Sequence, residues 1–450
     1  MARKKGHEII PSARRLIGSL RDMGYEFAPA VADLVDNSVE AGATRVDIWI
    51  EFGGDESWVR IADNGKGMTG ELLREAMRYG SERDYADDDL GKFGLGMKTA
   101  SMSQCRRLTV ASRPKSGGRL SAYSWDLDHI EETDRWEVLH VEKADLADPI
   151  AEALEAGNST VVLWEQLDRI LGYQHPYGEF QRKQLARMSR EVEEHLAMVF
   201  HRFLNGEARR RIKIQLNGNP IVPWDPFCRG ERLIRKLHGR SIPVDHNGTS
   251  GEVLFEPYVL PHQSRFSSPD AHELASGPRK WNRQQGFYIY RADRLIQSGG
   301  WSGLRVQDEH TKLARIALSF DPKLDEAFKI NVAKMRVQLP AEMRQDLENL
   351  LKPVIRAADG EYRSGGGNNA SGRPSGRASG AGASSQSSTL SDNASQSAAT
   401  DGHSTRTESS QVRLFTRGEV LTQMLSVADS KEKPVLHAVF ARLESTPSPI

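Results

Sequence analysis

The chain has 450 residues, 38% of them apolar, with a mean hydropathy of -0.55. That length and composition fit two or three water-facing domains with a polar tail. Lys plus Arg and Asp plus Glu both number 61, so net charge by itself points to no nucleic-acid or membrane partner.

Ser12 to Gly24 has the pattern of a short amphipathic helix. Residues 27–41 follow as a second helix with two unlike faces. Val31, Leu34, Val35 and Val39 recur at three- and four-residue steps and are expected to face a core. Asp33, Asp36 and Asn37 fall on the other side, with Asp33 and Asn37 one turn apart. Such a face is either a solvated polar surface or a place to hold a cation and a water. Arg45 to Phe52 alternates as a strand, Trp58 to Ala62 is a second, and Gly53-Gly54-Asp55 between them predicts a hairpin. The second strand runs into Asp63-Asn-Gly-Lys-Gly-Met68, whose glycines let the backbone turn sharply and approach a ligand. Asp63 at the strand end could accept a hydrogen bond from an amino group; a simple strand-to-helix turn would also use these residues.

A helix is predicted from Glu71 to Tyr79, then a polar acidic segment, then Leu90-Gly-Lys-Phe-Gly-Leu-Gly-Met-Lys-Thr-Ala-Ser101. Gly91, Gly94 and Gly96 precede a helical sequence, and Lys92 and Lys98 add positive charge. Free amides at a helix start suit phosphate, although a structural turn would carry the same glycines. The spacing is neither GxGxxG nor a Walker A loop. Strands are expected at Arg107–Ser112, Ser121–Trp125 and Thr160–Trp164, and a long helix at 185–204. The run Arg209-Arg210-Arg211 reads as a solvated helix end. Strands return at 212–216, 221–222, 252–260, 286–290, 295–296 and 314–320, and a helix closes the region at 341–362.

Ser, Gly, Ala, Asn and Thr dominate residues 363–411, which cannot bury a core and read as a disordered linker. Residues 412–450 regain apolar periodicity as a small helical segment. Cys105 and Cys228 form no CxxC pair and the thirteen histidines show no HExxH spacing, so no zinc site is expected. No apolar run follows the basic start, and none approaches the roughly 18 residues of a membrane span. The expectation is a cytoplasmic protein with no membrane partner.

Taken in order, Ala32-Asp-Leu-Val-Asp-Asn-Ser38, Asp63-Asn-Gly-Lys-Gly-Met68 and Phe93-Gly-Leu-Gly-Met-Lys-Thr-Ala-Ser-Met102 resemble the motifs of the GHKL, or Bergerat-fold, ATPases. Within that superfamily the text is most similar to MORC-like and MutL-like members. The resemblance implies an α+β protein: a Bergerat-type α/β sandwich ATPase domain at 1–170, connecting helices at 171–204, and a transducer-like α/β domain at 205–362. It implies that Asn37 ligates Mg2+, that Asp63 reads the adenine amino group, and that Gly65 and Gly67 shape that wall with Met68 against the ring. Gly91, Lys92, Gly94, Gly96 and Lys98 would serve the phosphates, and Thr160 would reach adenine through water. Lys334, in Ile330-Asn-Val-Ala-Lys-Met-Arg-Val337, would meet the γ-phosphate. Asp33 stands where relatives usually carry a glutamate that orients the attacking water, one methylene shorter. The implied function is an ATP-hydrolysing switch, dimeric when ATP-bound and acting on DNA or a DNA-bound protein. The rivals are a non-hydrolysing scaffold and a histidine-kinase-like phosphotransfer protein; the latter lacks the preceding His-Glu/Asp-Pro helix.

Overall fold

The computed structural model of the chain describes residues 10–22, 25–79, 96–172, 175, 177–330 and 337–366. Gly91, Lys92, Gly94, Lys334, the linker from residue 367 on and the expected C-terminal helical segment lie outside them; residues 363–366, expected as linker, continue the closing helix.

The first sheet contains β1 (Arg45–Glu51), β2 (Trp58–Asp63), β3 (Arg107–Ser112), β4 (Ser121–Asp126), β5 (Leu139–His140), β6 (Thr160–Glu165), β7 (Lys213–Leu216) and β8 (Asn219–Pro220). Their order is β5-β4-β3-β6-β2-β1-β7-β8. The expected hairpin is present, β1 pairing antiparallel with β2 around a short 3-10 turn at Gly54–Glu56. Its helices are α1 (Ala13–Arg21), α2 (Phe27–Glu40), α3 (Gly70–Met77), α4 (Gly96–Met102), α5 (Leu127–Thr133), α6 (Asp148–Glu155), α7 (Asp168–Leu171), α8 (Glu179–Val199) and α9 (His201–Asn205).

Strand alternation divides this sheet between two cores. Val59 and Ile61 of β2, Leu108 and Val110 of β3, and Val162 and Trp164 of β6 join the core built with α1, α2, α4 and α8. Ala62, Ala111, Val161 and Leu163 face Ile150, Ala153 and Leu154 of α6 on the other side. The small residues there let α6 lie close to the sheet.

The second sheet contains β9 (Arg235–Lys236), β10 (Arg240–His246), β11 (Thr249–Val259), β12 (Gly286–Arg291), β13 (Arg294–Ser298) and β14 (Ala314–Phe320). Its path is β10-β11-β14-β12-β13, with β9 also pairing β11. The helices α10 (Pro269–Ser276) and α11 (Lys280–Gln284) precede β12, and α12 (Arg344–Gly366) follows. Every residue of β12 is buried, because the strand serves two cores. Phe287 and Ile289 pack with Leu347, Leu351 and Val354 of α12, whereas Tyr288 and Tyr290 turn into the first core.

Three sequence expectations change. The strand at 212–216 does not open the second sheet: β7 pairs parallel with β1 and extends the first. No strand forms at 221–222, where β8 ends at Pro220. The long helix breaks at Phe200, whose φ of -103° and ψ of 15° separate α8 from α9. This break places His201 and Arg202 against β12. His201 Nε2 lies 2.8 Å from the Tyr290 hydroxyl, and the Arg202 guanidinium sits 3.5 Å from the Tyr290 ring centre.

Candidate nucleotide site

The site forms where β2, β6 and β3 end under α2. Asp63 pairs across with Thr160, and Thr160 with Ser112. All three share the parity of the core-facing residues above, so their side chains make a row across three strands on the α2 side. Ser112 Oγ lies 2.9 Å from Thr160 Oγ1 and accepts the Met68 N–H at 2.9 Å. Ser112 escaped the sequence reading, although its parity with Leu108 and Val110 was available there.

Asp63 is 7% exposed. Its carboxylate accepts the Gly65 N–H at 2.8 Å and the Ser38 hydroxyl of α2 at 3.2 Å. Burial pushes its pKa up to about 6, with those two hydrogen bonds pulling the other way. The loop after it is stitched on both sides: Lys66 N–H donates to the Ala41 carbonyl, and Lys115 N–H to the Lys66 carbonyl, each at 2.9 Å. A Cβ at Gly65 would stand 2.8 Å from both Asp63 Oδ1 and the Ala41 Cβ. Gly67 has φ +67°, and a Cβ there would lie 2.1 Å from the Arg113 carbonyl oxygen. Both glycines are thus required by close approach, and Gly67 by its backbone as well.

The polar side of α2 is not a solvated face. Asp33 is 2% exposed and Asp36 is fully buried. Between Val31 and Val39 only Asn37 is not fully buried, and no hydrogen bond of its side-chain amide occurs among the described residues. Helix periodicity placed these groups together but left open whether their side is solvated, because their covering groups come from elsewhere in the chain. Tyr25 donates its hydroxyl to Asp33 Oδ2 at 2.6 Å. Its pKa is raised well above the ordinary value by burial and then by Asp33. Arg294 of β13 pairs with Asp36 at 2.8 Å. Sequence alone gave no signal for either partner. At the start of α4, a Cβ on Gly96 would stand 3.7 Å from Asp33 Oδ2, which brings the last of the three loop glycines beside the acid.

Lys98 is 2% exposed and donates to the Ala76 carbonyl at 2.8 Å, with its ammonium 5.9 Å from the Tyr79 ring centre. Burial pulls its pKa down to about 8. In this structure it fastens α4 to the end of α3. Met68 is half-buried against the first core. The row Asp63, Thr160 and Ser112 with Gly65, Gly67 and Met68 therefore forms one cluster, tied to α2 through Ser38, the residue after Asn37 on the helix that also carries Asp33.

The candidate site thus combines a buried acceptor at a strand end, a loop whose glycines are required by close packing, and a helix that carries an acid and an amide. Residues 25–157, about 30% of the chain, match the family described as "Histidine kinase-, DNA gyrase B-, and HSP90-like ATPase", the GHKL family. Its relatives include the DNA mismatch repair protein MutL of Shewanella sp. (strain ANA-3), 34% identical over 139 residues, covering 30% of this chain and 19% of that protein. MutL of Vibrio parahaemolyticus is 41% identical over 103 residues, 22% of this chain and 15% of that protein. MutL of Halobacterium salinarum is 37% identical over 100 residues, 21% and 15% respectively. The matches thus span less than a fifth of these relatives' lengths. A solved structure described as "Crystal Structure of N terminal domain of a DNA repair protein" aligns with 80% of this chain and 100% of its own, at 14% identity and a TM-score of 0.45.

Proposed function

We propose that the chain is a magnesium-dependent ATPase that works as a conformational switch. The observation that carries this reading is the row of Asp63, Thr160 and Ser112 under α2. It offers a buried acceptor to the adenine amino group and hydroxyls for a bridging water, and Met68 would lie against the ring. Asn37 provides one hard oxygen donor at the edge of this cluster. That suits Mg2+, which takes few protein ligands and fills its octahedron with phosphate oxygens and waters. Magnesium would supply charge neutralisation and orientation at the phosphates. Asp33, one turn before Asn37, would accept the proton of the attacking water. Its reach is short, which supports slow turnover. Gly91, Lys92, Gly94 and Gly96 would cover the phosphates, and Lys334 would report the γ-phosphate to the second sheet.

The wider reading is an ATP-gated homodimer in the cytoplasm that acts on DNA or a DNA-bound protein. It is supported by the names of the MutL relatives, and so rests on analogy. Among the described residues no helix is long and apolar enough to cross a membrane. The short arm of Asp33 favours one second reading, a scaffold that binds ATP without hydrolysing it.

The test measures phosphate release by the wild type and by Asp33→Asn, with and without DNA, together with mass in a non-hydrolysable ATP analogue. The expected result is a loss of roughly 100-fold or more in turnover for the variant, the scale of general-base catalysis, and dimer mass with analogue. Equal rates would remove Asp33 as the base. A monomer under all conditions would remove the ATP-gated homodimer.

A further inference from the structure

One buried cation joins the nucleotide helix to the second sheet. Arg294 opens β13 and its side chain is 4% exposed. Its Nε lies 2.9 Å from Asp36 Oδ1 and 2.8 Å from Oδ2. Its Nη2 stands 3.6 Å from Asp33 Oδ1, an ion-pair distance beyond hydrogen-bond range. The guanidinium carbon sits 6.0 Å from the ring centre of Phe200, at the α8–α9 break. The Arg294–Asp36 pair spans 258 positions of sequence.

Asp33 and Asp36 are three residues apart and share a face of α2. Burying two carboxylates side by side is costly unless a cation meets both. The rigid guanidinium does this with Nε on Asp36 and Nη2 toward Asp33, a spread of donors that a lysine cannot reproduce. Asp36 takes the close contact and fixes the arginine. Tyr25 fixes the other oxygen of Asp33. The Asp33 carboxylate therefore stands between a phenol beside α2 and a guanidinium delivered by the second sheet.

We propose that Arg294 is a positioning residue for hydrolysis: anchored on Asp36, it sets where the Asp33 carboxylate stands and makes that setting depend on the second sheet. The inference rests on the reading of Asp33 as the base. A shift of β13 relative to α2 would move the arginine and, through it, the acid. Nucleotide binding uses other groups and would not register the change directly.

The test uses the full chain and five proteins: wild type, Asp33→Asn, Arg294→Gln, Arg294→Lys and the double variant Asp33→Asn with Arg294→Gln. ATP turnover gives kcat and KM, and a non-hydrolysable ATP analogue gives binding. Arg294→Gln is expected to lower kcat by roughly 10- to 100-fold, part of the base's contribution, with KM and analogue affinity within about threefold. Arg294→Lys is expected to recover part of the loss, since charge returns without the fork. In the Asp33→Asn background, Arg294→Gln is expected to add less than about twofold, because groups acting as a unit are not additive. If Arg294→Gln does not fold, the charge-neutral pair Asp36→Asn with Arg294→Met is measured instead, with the same expected split. An unchanged kcat, a raised KM with kcat kept, or a full additional loss on top of Asp33→Asn each overturns the proposal. If the wild type is sensitive to Asp33→Asn but not to the Arg294 variants, only this inference fails. A wild type without turnover overturns both readings.

Discussion

Replacing Asp63 with asparagine should make the nucleotide-free protein more stable while removing its adenine contact. Burial raises the Asp63 carboxyl from its ordinary 3.8 to about 6. The sign follows from linkage: the folded state holds this proton more tightly than the unfolded state. The folded protein therefore gains stability as pH falls from about 6 towards 3.8, and carries an ionisation penalty above 6. A difference of roughly two units at 1.36 kcal/mol each sets that penalty at about 3 kcal/mol above pH 7. Asparagine keeps an oxygen for the Gly65 N–H and a polar group for Ser38, without the charge. Its expected gain at pH 8 is about 1–3 kcal/mol, or roughly 2–8 °C in Tm. The incoming adenine amino group would meet an NH2 donor in place of an acceptor, at a cost of about 2–3 kcal/mol, roughly 100-fold in affinity. The assay is thermal unfolding of both proteins at pH 4.5, 6 and 8 without nucleotide, with analogue titration at pH 8. The stability gap should be largest at pH 8 and shrink as pH falls through 6. A gap independent of pH, a less stable variant, or unchanged analogue affinity would refute the reasoning.

Three further outcomes follow from the same geometry. Gly67→Ala places a methyl 2.1 Å from the Arg113 carbonyl oxygen at φ +67°; a loss of about 1–3 kcal/mol and at least tenfold weaker analogue binding are expected, and a wild-type unfolding curve would refute the fit. Asp33→Glu restores the longer arm usual among relatives, but pushes a methylene into a site where Tyr25 already lies 2.6 Å from the carboxylate. A lower Tm, by about 1–3 kcal/mol of overpacking, and turnover no faster than wild type are expected; faster turnover with unchanged Tm would show that arm length alone limits the rate. Lys98→Met should keep analogue affinity within about threefold, because the ammonium is engaged by Ala76. With its pKa lowered to about 8, Lys98 binds its proton more weakly in the folded state. Wild-type stability should therefore rise from pH 8 towards 10.5, and this rise should be missing in the variant.

Local chemistry made much of the site legible. The turn at Gly65 and Gly67 and the acceptor Asp63 sit within six residues of one strand end, and the helical spacing of Asp33, Asp36 and Asn37 is a property of α2 alone. Thr160 lies about a hundred positions on, and only family resemblance placed it near adenine; strand register makes it the neighbour of Asp63. Ser112 was reachable by alternation but not by motif, since a lone serine at a strand end has no signature. The strand at 212–216 was recognised as a strand, yet its sheet was not, because alternation says which face is apolar and not which neighbour it pairs with.

Arg294 marks the limit of such reading. In Tyr290-Arg-Ala-Asp-Arg294 it sits after a turn, where an arginine ordinarily reaches water. Likewise, two acids on a helix ordinarily mean a wet face. Each inference fails because the other is true: the acids are buried where the arginine meets them, and the arginine is buried where the acids do. Removing either partner would strand a charge at a cost of about 3–5 kcal/mol, so the pairing ties α2 to β13. Through the same bond a second sheet, which contributes none of the residues proposed to face adenine, would bear on the acid proposed to activate water.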